Sequence, residues 1–355
     1  MSTAFGHLSK PQVWGLVLWS AGIALAGTAG LVQISALLAQ ILQQQEQSVF
    51  QRLREWYLDA SAKSGSKQGR KRRELEVTSC FGPLVRWIVR LWASEEKRLP
   101  LVIDATSLGN RWTVLAVSVV LNGGAIPVAW KVLPAEQEGS WRPHWEQLFA
   151  HLSGAIPADW FVLVLADRGL YARWMWDAVV AQGWHPFLRI NLGVKASLAD
   201  QNDFDWLTRW VPGPGTQWAG VVDCFAGASS RLRATLLLHW EAGYESAWAI
   251  LTDLDPAEAQ ISWYGLRTWI ECGFKDLKRG LWGWQHSKMT QASQVERIWL
   301  AMALAQLWCL SVGARVEQEQ QANRVPLEQR LPSAHVARRK RHDHPCSTPP
   351  RRLSC

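Results

Sequence analysis

Residues 13–42 carry no charged side chain, and a run that long admits few folded states. By length alone it could cross a membrane. Gly22, the Gly27-Thr28-Ala29-Gly30 break and the polar side chains of Gln33, Ser35 and Gln40 favour instead two short helices joined by a small-residue turn, a helical hairpin or a helix-turn-helix. A third helix is predicted from Ser48 to Ala60, exposing Arg52 and Arg54. Residues 61–73 read as a basic linker that closes a helical, basic N-terminal domain over 1–73.

The composition excludes a disordered protein, a disulfide scaffold and a polytopic membrane protein. Of the 355 residues 48% are hydrophobic and 19% charged, enough for a sizeable core, and six scattered cysteines form no metal-type pair. They suit reduced thiols in a cytoplasmic protein. The formal charge of +8 is segregated. Residues 52–98 hold 12 basic against 6 acidic side chains and residues 315–355 hold 9 against 4, whereas 99–314 hold 16 against 19. Two basic flanks around a slightly acidic middle suit a polyanion at the flanks and carboxylates reserved for chemistry between them. Solvated linkers would show the same bias. Arg70, Lys71, Arg72 and Arg73, with the tail's Arg338-Arg339-Lys340-Arg341, are the candidate nucleic-acid contacts, and 317–355 reads as a basic, disordered tail.

From Leu99 the pattern turns to short β-rich runs. Leu101–Asp104, Thr113–Leu121 and Ala125–Leu133 are predicted strands, the last two joined by an Asn122-Gly123-Gly124 hairpin signal. A helix follows at Trp141–Ser153, a buried strand at Trp160–Ala166, a helix at Ala172–Gln182 and a strand at Pro186–Ile190. Residues 192–262 return to strands as a β-rich insertion, and helices resume at Trp263–Arg279 and Gln294–Val312. The class is α/β, a mixed sheet core preceded by a small helical domain.

Asp104 and Asp167 each close an apolar strand, and ligands of α/β sheets gather at the carboxyl ends of strands. Two aspartates there could share a hard cation, although an Asp in that position is also a common cap or turn residue. In the 263–279 helix, steps of about 100° per residue put Tyr264, Arg267, Glu271, Lys275 and Lys278 on one face. A carboxylate among such donors suits a metal-bound phosphodiester. A solvated face of weak ion pairs fits the spacing equally.

Tyr264-x2-Arg267-x3-Glu271-x6-Lys278 resembles the Y-x2-R-x3-E-x6-K signature of insertion-sequence transposases of the IS-four type. Asp104 in Ile103-Asp104-Ala105-Thr106 and Asp167 in Leu165-Ala166-Asp167-Arg168-Gly169 resemble the aspartates of their DDE triad. The resemblance covers about residues 99–310. It implies a ribonuclease H-like core, split into 74–191 and 263–316 by the insertion 192–262, in which Asp104, Asp167 and Glu271 are catalytic and hold two Mg²⁺ or Mn²⁺ ions. Tyr264, Arg267, Lys275, Lys278 and Arg168 would meet DNA phosphates, and Trp240 or Trp248 would hold a flipped base. The implied partners are double-stranded transposon ends and target DNA, met by a homodimer without membrane attachment, in the cytoplasm and on the nucleoid when bound to DNA. A nuclease without strand transfer, or a non-catalytic DNA-binding protein from a decayed element, would share much of this pattern.

Overall fold

The computed structural model describes residues 3–63, 73–92, 96–227 and 229–322. The uncharged run forms two helices, α1 (Lys10–Ala26) and α2 (Leu31–Leu42), bent by 98° across the break. Gly27, at φ +62°, ends α1 in the left-handed conformation that glycine adopts without strain. Gly22 lets the two helices close up, because a Cβ there would stand 2.3 Å from a methyl of Ile34. Absence of charge here serves burial within the protein: Leu16, Trp19, Ile23 and Ile34 are each at most 1% exposed. α3 (Glu46–Tyr57) packs against both helices, and α4 (Phe81–Leu91) leads into the sheet.

Three antiparallel strands follow, β1 (Arg98–Leu108), β2 (Trp112–Leu121) and β3 (Gly124–Pro134). The β2–β3 hairpin closes through Asn122 and Gly123, both at positive φ, the geometry that a two-residue loop needs to match strand twist. Helix α5 (Arg142–Leu152) crosses to β4 (Phe161–Ala166), parallel to β1, and α6 (Arg173–Val180) crosses to β5 (His185–Arg189), parallel to β4. Then come β6 (Lys195–Leu198), β7 (Asp205–Trp206), the short α7 (Leu207–Trp210), β8 (Gln217–Cys224), β9 (Leu232–His239) and β10 (Trp248–Thr252). These strands extend the same sheet, since β10 pairs antiparallel with β5. The ten strands run in the order β3-β2-β1-β4-β5-β10-β9-β8-β6-β7.

Two expectations change here. Asp104 does not end its strand. Parallel pairing with β4 stops at Ile103 opposite Ala166, but antiparallel pairing with β2 carries β1 on to Leu108. Nor is 263–279 one regular helix. The chain winds as a 3-10 segment over Ile261–Arg267, as α8 over Thr268–Lys275 and as a π turn over Asp276–Gly280. Steps of 100° hold only inside α8, because the 3-10 winding is tighter and the π winding looser.

The last helix, α9 (Ala292–Ala322), is apolar enough to span a membrane over Ala292–Glu317, yet it lies between β3 and α1 with most of that window buried. Residues 317–322, expected to begin the tail, still belong to α9; the rest of the expected tail, from residue 323, and residues 64–72 with Arg70, Lys71 and Arg72, lie outside the described residues. One polar clasp ties the N-terminal helices to α9. The guanidinium of Arg297, 4% exposed, donates to the Asp59 carboxylate at 2.7 Å and to the carbonyls of Tyr57 and Leu75 at 2.8 and 2.9 Å. Burial pushes the Asp59 carboxyl up, but hydrogen bonds from Arg297 and Ser293 outweigh it and hold Asp59 below the usual carboxylate range. Arg297→Ala would leave these acceptors without their donor. It is expected to cost about 3 kcal/mol of stability, read as a lower urea midpoint. An unchanged midpoint would show that the clasp contributes nothing.

Candidate active site

Register brings the two aspartates together. Ile103 pairs with Ala166 across the parallel strands, so Asp104 and Asp167 follow the last pair side by side, close enough for one nitrogen of Arg267 to reach both. Each carboxylate is fixed by the next backbone N–H: that of Ala105 donates to Asp104 at 2.8 Å, and that of Arg168 donates to Asp167. Glu271 enters from the first turn of α8, which packs on β1, β2 and β3.

Arg267 stands among the three acids. Its Nη2 is 3.0 Å from Asp104 Oδ2 and 3.1 Å from Asp167 Oδ2, and its Nη1 donates to Glu271 Oε1. Its side chain is 10% exposed, against 21% for Asp104, 38% for Asp167 and 59% for Glu271. The acids thus form a gradient from interior to solvent. Burial pushes Asp104 up to about 6. Arg267 and the Ala105 N–H oppose the rise, while Asp167 and Glu271 reinforce it. The close pair with Arg267 does not prevent the rise, because one positive charge is divided among three carboxylates. Burial would lower the Arg267 pKa, but its acidic neighbours outweigh that and raise it.

The other expected residues spread outward. Tyr264 is 5% exposed, its ring edge-on to Trp248 at 5.1 Å and its hydroxyl pushed up to about 12 by burial. Lys278 Nζ donates to the Ser107 carbonyl at 3.3 Å, and burial, with the charge of Arg279, lowers its pKa. Lys275 and Arg168 are exposed. Trp240, next to the strand partner of Trp248, donates to the Tyr244 carbonyl at 2.9 Å. Arg73 lines a groove of about 1560 Å³ with Lys10, Arg52 and Lys63.

One neighbour was missed. Ala166 pairs with Leu188, so Arg189 at the end of β5 continues the row of Asp104 and Asp167, with its guanidinium 5.9 Å from the Tyr264 ring. A basic residue one before the end of the predicted strand 186–190 was the available signal; only the register gives it meaning.

Residues 139–308 match the family model described as the transposase DDE domain. The chain carries a transposase DDE domain. It is an enzyme of DNA transposition. The matched segment includes Asp167, Arg267 and Glu271, whereas Asp104 precedes it. Among solved structures, the piggyBac transposase synaptic complex with hairpin DNA is similar at a TM-score of 0.39 and 10% identity, over 92% of this chain and 78% of that one. The Mos1 strand transfer complex is similar at 0.20 and 14% identity, over 48% of this chain and 56% of that one. Overlaps this loose carry no detail of the site. No curated protein matches the chain.

The raised Asp104 pKa has a direct consequence for the metal-free transposase. Its carboxyl moves from 3.8 to about 6 on folding, so its stabilising contribution is complete below about pH 4 and is lost as pH rises through about 6. In EDTA, Asp104→Asn is expected to be more stable than the wild type at pH 7.5, by up to about 3 kcal/mol. The gain should vanish at pH 4. Urea midpoints at the two pH values check this, and a variant no more stable at pH 7.5 would contradict it.

Proposed function

We propose that the transposase is of the insertion-sequence IS-four type and cuts and joins DNA at the terminal inverted repeats of its own element. Asp104, Asp167 and Glu271 would be its catalytic carboxylates. The observation that carries this reading is the convergence of three acids, from two adjacent parallel strands and a facing helix, on one partly open site. The strand order β3-β2-β1-β4-β5 supports a ribonuclease H-like core within the longer sheet.

The donor set fits hard divalent cations. Its ligands are all carboxylate oxygens, which suit two Mg²⁺ or Mn²⁺ ions, and Asp104 is desolvated without a full counter-charge. Around Arg267 the acids do not yet close on one point, and no group of three or more His, Cys, Asp or Glu among the described residues does so. The cations, when bound, supply Lewis-acid activation of the attacking hydroxyl and charge stabilisation at the leaving oxygen. The rest falls to side chains. The Ala105 and Arg168 N–H groups hold Asp104 and Asp167 in orientation. Lys275, Lys278 and Arg168 lie at the rim as donors for phosphates on either side of the scissile bond. Tyr264 supports this rim from within, pressed against Trp248. The groove lined by Lys10, Arg52, Lys63 and Arg73 supports DNA binding by the helical region 1–73. Joining two ends calls for a homodimer.

Asp104→Ala, Asp167→Ala and Glu271→Ala are each expected to slow Mg²⁺-dependent cleavage of a duplex bearing the element's terminal repeat by at least about 10³-fold. DNA affinity should hold near the wild-type value. Single-turnover cleavage with parallel gel-shift titrations measures both, and a variant that still cuts at a tenth of the wild-type rate would overturn the assignment. Lys278→Ala is expected to weaken DNA binding and to flatten its salt dependence, by about one unit of slope for each phosphate that the lysine neutralises. Binding isotherms across a salt series test this, and an unchanged slope would remove Lys278 from the DNA surface.

A further inference from the structure

The position of Arg267 asks for more than a phosphate clamp. A residue that meets DNA should present its guanidinium to solvent, and this one is 10% exposed and turned into the acids. We propose that Arg267 is the resident counter-cation of the carboxylate cluster: it stands where a divalent cation would stand and gives up that place when one binds, which frees its guanidinium for a DNA phosphate. The proposal rests on the reading of Asp104, Asp167 and Glu271 as metal-binding carboxylates.

Geometry gives the first argument. One planar group reaches all three acids, with Nη2 shared between Asp104 and Asp167 and Nη1 on Glu271. Nitrogen holds the two aspartates at about 3 Å, whereas Mg²⁺ binds oxygen at about 2.1 Å. The guanidinium therefore keeps the cluster wider than a metal would. That width accounts for acids gathered around one point without closing on it.

Charge gives the second. The cluster carries three formal negative charges, which Arg267 answers with one, and the shortfall is greatest at Asp104, the most buried acid. A divalent cation answers the deficit better. Once it is in place, a guanidinium at the same oxygens would meet like charge at close range with little solvent to screen it. Both cannot hold the same position.

The third argument is that Arg267 is held at its two Nη atoms and not at Nε. Its Nε is buried with no hydrogen-bond partner among the described residues, so the inner end of the guanidinium gives nothing up when it moves. Glu271, the most exposed of the three acids, marks the solvent side, and movement that way keeps one ion pair while releasing two. Metal and phosphate would then favour the same displaced arginine. By linkage each would tighten the binding of the other.

The test uses the full chain stripped of metal and titrated with Mn²⁺, free ion being followed by electron paramagnetic resonance. Arg267→Met is expected to bind Mn²⁺ at least tenfold more tightly than the wild type. Unchanged or weaker binding would overturn the proposal. Should the methionine variant fail to fold, the wild type decides the matter. In protein labelled with ¹⁵N-arginine, the Nε–H signal that Arg267→Lys removes is expected to shift when Mg²⁺ saturates the site, and a signal unmoved at saturation overturns the proposal. Asp104→Ala and Asp167→Ala separate the two levels of inference. If they leave Mn²⁺ affinity intact, the metal-site reading falls and this one with it. If they weaken it while Arg267→Met fails to tighten it, only the counter-cation role falls.

Discussion

The parallel pairing of β1 with β4 fixes the positions from which the site is built. Six consecutive residue pairs, from Arg98 with Phe161 to Ile103 with Ala166, hold two largely apolar strands in one register. A slip of one residue would turn Asp104 to the opposite face of the sheet and leave Asp167 without its neighbour. Burial on both faces enforces the register: Leu101, Val102, Ile103, Val164, Leu165 and Ala166 are all fully buried. Carboxylates are tolerated at the end of this zipper because the sheet opens there. β4 has ended, and β1 continues only with β2 beside it.

Much of this was legible because it is local. Strand-length apolar runs, each reaching an aspartate, drew attention to Asp104 and Asp167, although only Asp167 follows the end of its strand, and Asn122-Gly123 announced its own turn. The segments read as strand and helix between 99 and 190 fall close to the elements present. The illegible part is relational. Nothing in the spacing of Tyr264, Arg267 and Glu271 says that the arginine turns inward, because a uniform helical wheel gives Arg267 and Glu271 the same outlook. The change from 3-10 to α winding, and the pull of two aspartates supplied by distant strands, give Tyr264 and Arg267 a buried setting and leave Glu271 at the rim. Arg189 was hidden for the same reason: its row is a property of the β4–β5 pairing, absent from either segment alone.

The uncharged N-terminal run had two readings, and packing explains why composition could not separate them. A helix that crosses a membrane and a helix covered by other helices both shed charge. α1 is covered by α9, α2 and α3, and α9, itself apolar, is covered by α1 and β3. The two long apolar segments are each other's solvent. Arg297, a buried charged group on α9, is matched by Asp59 and the carbonyls of Tyr57 and Leu75, which adds directional bonds to this apolar packing.

The strands of the insertion have no sheet of their own. They continue the core sheet through β10, which meets β5 over only three residue pairs, Ile250 with Arg189, Leu251 with Leu188 and Thr252 with Phe187. One end of that short seam is Arg189, one strand from Asp167. The insertion thus borders the reactive row directly: Arg189, which pairs outward with Ile250, also lies one strand from Asp167 on the inner side.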